Sequence, residues 1–488
     1  MTNPLPSQTT PAQDKTPPAM EAKEQRALLR ALLLTVEHFF GGFSRLFGPV
    51  SDPRQPALTL YPLPMVLATG VLMFLLRFGA RRQIQHWLRR NAPSATKFEA
   101  LFEVAGCPHG DTLNYAYARL AVEEVQEVAT GMVETLIRRK VLYPHRLLNQ
   151  YFLVVMDGTG VLTYSERHCP QCLTRTHHGQ TTYYHPVLEA KLVTASGWAL
   201  SLLTEFIENP GEHPTKQDCE LKAFYRLAAR LKQRFPHLPI CLLLDGLFAG
   251  GPTFAICTDY DWKYLIVLQD ADLPSVQNEF RTLAPLAPHD QLHRSPAGPF
   301  KLEQTFRWVN DIAYVDSARR EHTVAVLDCQ ETQQAPHGLP QTTRFEWITN
   351  FVVTPQNAAT LGNQGGRVRW KIENEGFNVQ KNGGYALEHR YSTNPNASKV
   401  FYLLLQIAHL LFQLTPHHPP PAWHCQKAVG RWVRVATGSL FRTTFPAGVG
   451  SARNLAQRLL EAWRNLSLSA IAIHALLTAR VRLSFDTS

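Results

Sequence analysis

Cysteine is scarce: the chain has eight in 488 residues, too few and too scattered for a disulfide framework. Cys219, Cys241, Cys257, Cys329 and Cys425 stand alone, mostly in apolar surroundings. They read as buried thiols of a protein in the reducing cytoplasm. Long hydrophobic runs are missing as well. The most apolar stretch, Leu63 to Leu76, is about 14 residues where a bilayer span needs roughly 20. A buried helix is expected there, and no membrane association. The first 25 residues are rich in Pro, Gln and Thr without an apolar stretch, which argues against a secretory leader. No internal repeat is visible, which excludes a solenoid or propeller. Hydrophobic residues, by contrast, make up 45% and aromatics 10%, enough to exclude intrinsic disorder for the bulk of the chain.

Acidic residues are fewer than basic ones, 39 Asp+Glu against 49 Lys+Arg, for a net charge of +10. The excess sits at the ends. Residues 1–150 hold 17 basic and 12 acidic side chains, residues 390–488 hold 11 and 2, and the middle holds 21 and 25. Two basic ends around a slightly acidic centre suit a protein that grips a polyanion and acts on it with carboxylates.

The spacing of apolar residues divides the chain further. Residues 1–25 read as a disordered tail and 26–148 as a helical, DNA-binding region. Within it, 95–104 and 111–119, joined across Gly106 to Gly110, suit a helix-turn-helix, with Asp111-Thr112 as an N-cap signal. From 149 to 269 the order is three strands, helix, strand, helix, strand, which predicts a mixed α/β layer fold. A polar, β-rich insertion follows over 270–345. Strand and helix return over 346–415, including the very apolar helix Ser398–Leu414. Residues 416–488 form a basic, helical C-terminal region.

Two aspartates stand out by position. Asp157 ends FLVVMD-GTG and Asp245 ends CLLLD-GLFAG. Each closes a fully apolar strand and precedes a glycine. Ligands of α/β sheets gather at such strand ends, and a carboxylate there is poorly solvated unless paired or bound to a cation. A third carboxylate comes from the segment GRVRWKIENEGFNVQK, residues 366–381, where helical spacing puts Arg369, Glu373 and Phe377 on one face and Gln380 or Lys381 one turn on. Glu375 is the rival for that third place.

These three segments resemble the DDE transposases of bacterial insertion sequences, in the subgroup with a β-strand insertion before the catalytic glutamate. That subgroup's signature is Tyr-x2-Arg-x3-Glu-x6-Lys, commonly with Arg-Trp-x-Ile-Glu. Here it reads Arg369-Trp370-Lys371-Ile372-Glu373, with Gly366 in the tyrosine's place and the lysine one residue late, at Lys381. The resemblance covers roughly residues 60–415. It implies an RNase H-like core and a catalytic triad of Asp157, Asp245 and Glu373 holding two Mg²⁺ (or Mn²⁺) ions, with Arg369 and Lys381 on DNA phosphates. It implies a homodimer that synapses double-stranded element ends and target DNA. The chemistry suits the residue types: two hard cations roughly 3.5–4 Å apart stabilise the attacking and leaving oxygens, and carboxylates are their preferred donors. A catalytically silent DNA-binding relative and an RNase H-like nuclease without strand transfer remain as alternatives.

Around this core, Arg77, Arg81, Arg82, Arg89 and Arg90 are expected to supply further phosphate contacts, as are Tyr385, His389 and Arg390. His168-Cys169-Pro-Gln-Cys172, with His177, His178 and His185 downstream, holds a zinc half-site. Cys169, Cys172, His177 and His185 form the candidate four-ligand set, structural rather than catalytic. Asp218 and Glu220 read as first-turn acids serving a helix dipole, preceded by Lys216. Asp259, Asp261, Asp270 and Asp272 read as solvated turn residues, and Trp308 as a strand-packing residue or a stacking platform.

Overall fold

The computed structural model describes residues 18–90, 92–211, 215–269, 272–296, 302–333, 340–415 and 452–465. Helices α1 (Pro18–Phe40), α2 (Gly42–Phe47), α3 (Leu63–Leu75), α4 (Ala92–Phe102), α5 (Gly110–Tyr117) and α6 (Val122–Arg138) come first. Then follow β1 (Phe152–Tyr164), β2 (Leu173–His177), β3 (Gln180–Val193), β4 (Ala199–Phe206), α7 (Glu220–Arg234), β5 (Ile240–Leu244), α8 (Gly251–Asp259) and β6 (Lys263–Val267). Helix α9 (Pro274–Leu283) leads into β7 (Gln291–Arg294), β8 (Leu302–Val315), β9 (Glu321–Gln333) and β10 (Gln341–Thr349). An irregular helical tract over 358–382, α10 (Pro395–Leu414) and α11 (Ala452–Asn465) complete the described chain.

The fold is mixed α/β, built on one ten-stranded sheet in the order β2-β3-β1-β5-β6-β10-β9-β8-β7, with β4 paired to β3. β1, β5 and β6 are parallel to one another, and the remaining pairings are antiparallel. The β-rich stretch expected as an insertion does not stand apart: β10 pairs with β6 through Trp347↔Val267 and Thr349↔Leu265, so its strands extend the central sheet. Trp308 lies in its core, 1% exposed, where it offers no ring to a base.

Because side chains alternate across a strand, β1 and β5 divide their residues between two cores. Phe152, Val154, Met156, Ile240, Leu242 and Leu244 face one side, with Phe224 and Leu227 of α7. Leu153, Val155, Cys241 and Leu243 face the other, with Leu361, Val368, Ile372 and Phe377 of the 358–382 tract.

Helix α3 is buried along nearly its whole length, as its unbroken apolar composition requires. Helix α10 is, among the described residues, the one helix long and apolar enough to cross a membrane, and 83% of its apolar window is buried inside the protein. It packs on α3, α5, α6 and β4 and is a core helix.

Two expectations of the N-terminal region change. Helix α1 begins at Pro18, inside the stretch read as a tail. The α5 cap is His109, whose Nδ1 accepts from the Asp111 amide at 3.2 Å, one turn's start earlier than Asp111-Thr112 suggested. Residues 83–89 are helical and end in a wide turn, Gln85–Arg89, after Arg77 at φ 55° and Gly79 at φ 69°. Cys425, Asp270 and most of the basic C-terminal region lie outside the described residues.

Candidate active site

Strands β1 and β5 run in parallel with Leu153 opposite Cys241 and Val155 opposite Leu243. The paired stretch stops there. β1 runs on to Tyr164, so Asp157 lies within the strand and not at its end as expected, because its pairing with β3 continues past it. Asp245 follows the last residue of β5 and caps a short turn, close enough for its charge to raise the Asp157 carboxyl. Both share the parity of Val155 and Leu243, so both side chains emerge on the face covered by the 358–382 tract. Val368, Ile372 and Phe377 anchor that tract in the sheet's core, and Arg369 and Glu373, four residues apart, project from it together.

The side chains meet. Arg369, 7% exposed, points Nη1 at Asp157 Oδ2 from 3.4 Å. Its Nε is enclosed without a hydrogen-bond partner. Burial pushes the Asp157 carboxyl up to about 6. Arg369 opposes that rise, and the neighbouring charges of Asp245 and Glu373 add to it. Asp245 is raised for the same first reason, with Arg369 and the Leu247 amide pulling it down and Asp272 pushing it up. Each aspartate accepts one backbone bond, Asp157 Oδ1 from Gly158 at 2.9 Å and Asp245 Oδ1 from Leu247 at 3.1 Å. The Glu373 carboxylate makes no hydrogen bond or ion pair among the described residues, its backbone carbonyl accepting from Asn378 N.

Glu375 goes elsewhere. It accepts from Lys371 Nζ at 3.1 Å and lies against Gly197 in the β3–β4 turn. Of the two rivals, Glu373 is the one near Asp157.

Two acids that local sequence context hid also belong to the cluster. Glu220, at the start of α7, is stacked over the backbone of Gly158, where any side chain would collide with its carboxylate. Burial and Asp245 hold its carboxyl above the usual range. Asp272, read as a solvated turn residue, lies against Gly246, next to Asp245. The glycines that follow the two strand aspartates are thus the space these acids occupy. Asp218, in contrast, is tied to Arg226 at 2.7 Å. Lys216, Asp259 and Asp261 are exposed.

The expected DNA contacts separate into two groups. Arg82, Arg89, Arg90, His389 and Arg390 are exposed. Arg82, Arg390 and Arg81 are close enough to His389 to depress its pKa, after burial, so the basic side chains of 81–82 and 389–390 form one surface. The others, and Arg81 as well, have partners within the chain. Arg81 Nη1 reaches the Gly110 carbonyl at 3.2 Å and Asp111 at 3.4 Å, fixing the start of α5. Arg77 lies over the Tyr385 ring, 3.0 Å from its centroid, with Nε and Nη2 enclosed. Tyr385 is itself buried. Lys381 pairs with Glu388 at 3.0 Å. Gln380 is fully buried and bonds Gln406 at 2.7 Å and His409 at 2.9 Å.

The cysteine segment closes around one histidine only. Cys169 Sγ, Cys172 Sγ and His185 Nε2 lie 3.2–3.5 Å from one another. His177 is opposite Gln180 at the tip of the β2–β3 hairpin, about 16 Å along the strand from Cys172, so it is no part of a four-ligand set. Cys219, expected to be buried, is exposed.

A cleft of about 710 Å³ between α1, α2 and α6 shares no residue with the carboxylate cluster. No protein-family model matches the chain, and no curated protein matches it in sequence.

Proposed function

We propose that this protein is a DDE transposase that binds the terminal inverted repeats of its own insertion sequence and catalyses metal-dependent strand cleavage and strand transfer. One observation carries the reading. Asp157 within β1 and Asp245 just beyond β5 are electrostatic neighbours, Glu373 approaches from the tract packed over the sheet, and Arg369 is buried among them. The strand order β4-β3-β1-β5-β6, with β3 antiparallel, supports an RNase H-like core.

The donor set fits hard divalent cations. Asp157, Asp245 and Glu373 offer oxygen only, and three acids face the single guanidinium of Arg369, a surplus that a dication would offset. Magnesium or manganese held by these carboxylates would supply an activated water or 3′-hydroxyl nucleophile and would stabilise the leaving oxygen. Arg369 orients Asp157 through the Nη1–Oδ2 contact. The exposed basic surface of Arg82, His389 and Arg390 draws in the DNA backbone, with an affinity that falls as salt rises. Two copies of the chain, one on each element end, form the synaptic complex.

The test is a plasmid carrying the inverted repeats that flank the gene, incubated with purified full chain and Mg²⁺ or Mn²⁺. Cleavage at the repeat ends, followed by joining to target DNA, is expected. Binding without cleavage would favour the catalytically silent relative. Cleavage that never proceeds to joining would favour the nuclease.

A further inference from the structure

We propose that Cys169, Cys172 and His185 form a structural zinc site that clamps the base of the β2–β3 hairpin to the loop entering α7. This proposal is independent of the transposase reading, because its donors are soft and lie outside the carboxylate cluster. Cys172 N reaches back to Cys169 O at 3.4 Å, and that tight turn brings the two sulfurs within 3.5 Å. Leu173 pairs with Tyr184, so the ladder's next step places Cys172 across from His185. The imidazole Nε2 then lies 3.3 Å from Cys169 Sγ and 3.2 Å from Cys172 Sγ.

Zinc bonds of about 2.3 Å to sulfur and 2.0–2.1 Å to nitrogen, at tetrahedral angles, put ligand atoms roughly 3.5–3.8 Å apart. The three donors already stand within a few tenths of an ångström of that polyhedron. Two thiolates and a neutral imidazole around a dication give no net charge, which suits a place where Cys172 is fully buried. Thiolate sulfur also selects zinc over magnesium. Three protein donors leave one tetrahedral position for a water or another ligand. His168 is stacked on Tyr164, with ring centroids 4.6 Å apart, and is not among the three converging donors.

The position of the site gives it a mechanical task. The turn and the start of β2 hold the loop before α7 by a set of hydrogen bonds. Asn209 N donates to Gln171 O at 3.1 Å, and Asn209 Nδ2 donates to Cys172 O at 2.8 Å. Thr174 N donates to Gln217 Oε1 at 2.6 Å, and Gln217 Nε2 donates to Thr174 O at 3.0 Å. Asn209 Oδ1 in turn accepts from Asp218 N at 3.1 Å. Two residues later Glu220 opens α7 over Gly158. A metal that locks the Cys169–Cys172 turn therefore locks the loop that carries Glu220 to the carboxylate cluster.

The experiment uses the full-length wild-type chain purified without chelator. About one equivalent of zinc per chain is expected. Replacement by Co²⁺ should give the thiolate-to-cobalt charge-transfer band and the visible bands of a tetrahedral site. The variants Cys169→Ser, Cys172→Ser and His185→Ala should each fall below about a tenth of an equivalent under the same conditions, while His177→Ala and His168→Ala keep their zinc. Stripping the wild-type protein with a strong chelator, which involves no substitution, should open the 168–185 hairpin and the loop at Lys216 to trypsin at least tenfold faster. Added zinc should restore protection. Wild-type protein that lacks zinc and has both thiols freely titratable would overturn the site, and loss of zinc in His177→Ala would overturn the ligand assignment. Unchanged proteolysis on stripping would overturn the clamp.

Discussion

Asp157 is the residue on which the stability of the cation-free protein should turn with pH. Its carboxyl moves from an ordinary value of 3.8 to about 6, chiefly by burial, with Asp245 and Glu373 adding to the rise and Arg369 opposing it. The groups facing it are thus two acids from β5 and the helical tract and one guanidinium. A folded-state carboxyl above its unfolded value binds a proton more tightly in the native state, so stability falls as pH rises through the window from about 4 to about 6 and stays lower above it. Roughly two units at 1.36 kcal/mol each give an upper figure of about 3 kcal/mol at pH 7 and above. Asp157→Asn keeps the shape and removes the charge. In chelator, the variant should be more stable than wild type by up to about 3 kcal/mol at pH 8, and the gain should shrink to nothing near pH 4. Adding Mn²⁺ at pH 8 should stabilise wild type and leave the variant unmoved. Urea unfolding of both proteins across pH 4–8, with and without Mn²⁺, reads all of this. Parallel stability profiles, or a variant less stable at pH 8, would refute the picture of a desolvated carboxylate facing like charges.

Glu373→Gln should lose DNA cleavage by on the order of 10³-fold, about 4 kcal/mol of transition-state stabilisation, with DNA binding retained, whereas Glu375→Gln should cut normally in the same assay. Lys191 is fully buried 3.1 Å from Glu189, whose carboxylate is also held by Ser201, Thr204 and Tyr402. Lys191→Met should therefore cost about 3–5 kcal/mol by stranding that charge, and the added Glu189→Gln change should return most of it in denaturant titration. Deleting the exposed Asn374 should change stability by no more than about 1 kcal/mol, because it closes a wide helical turn back to regular α spacing. A one-residue deletion at the buried Leu404 of α10 should unfold the protein.

Local pattern carried most of the fold. Ile240–Leu244 and its terminal aspartate are visible as an apolar run followed by Asp-Gly, because a strand buried on both faces needs every side chain apolar. The same logic misled at Asp272, Cys219 and the arginines of 77–81. Asp272 looks solvated in its own polar turn, and only the β5–β6 pairing brings it beside Gly246. Arg77 and Arg81 look like a phosphate-binding stripe, yet Tyr385 and the α5 start, 308 and 29 residues away, claim them. Long-range partners of this kind leave no mark at short spacing.

The two departures from the transposase signature are of a different sort, since the structure gives each a physical cause. At Gly366, any side chain would run into the indole of Trp347, so the bulk that a tyrosine would bring to this position comes from β10. The late lysine follows from helix geometry. Residues Ile372–Phe377 form a single turn with i→i+5 bonding, between the 3-10 turn Gly366–Trp370 and the α turn Asn378–Asn382, and it takes up one residue more than an α turn. Counted along the chain, Lys381 is one place beyond the signature. Gln380 is turned into the core network of Gln406 and His409. Spacing rules written for regular helices assume a constant 3.6 residues per turn, and a glycine-interrupted tract such as 362–376 is where that assumption fails first.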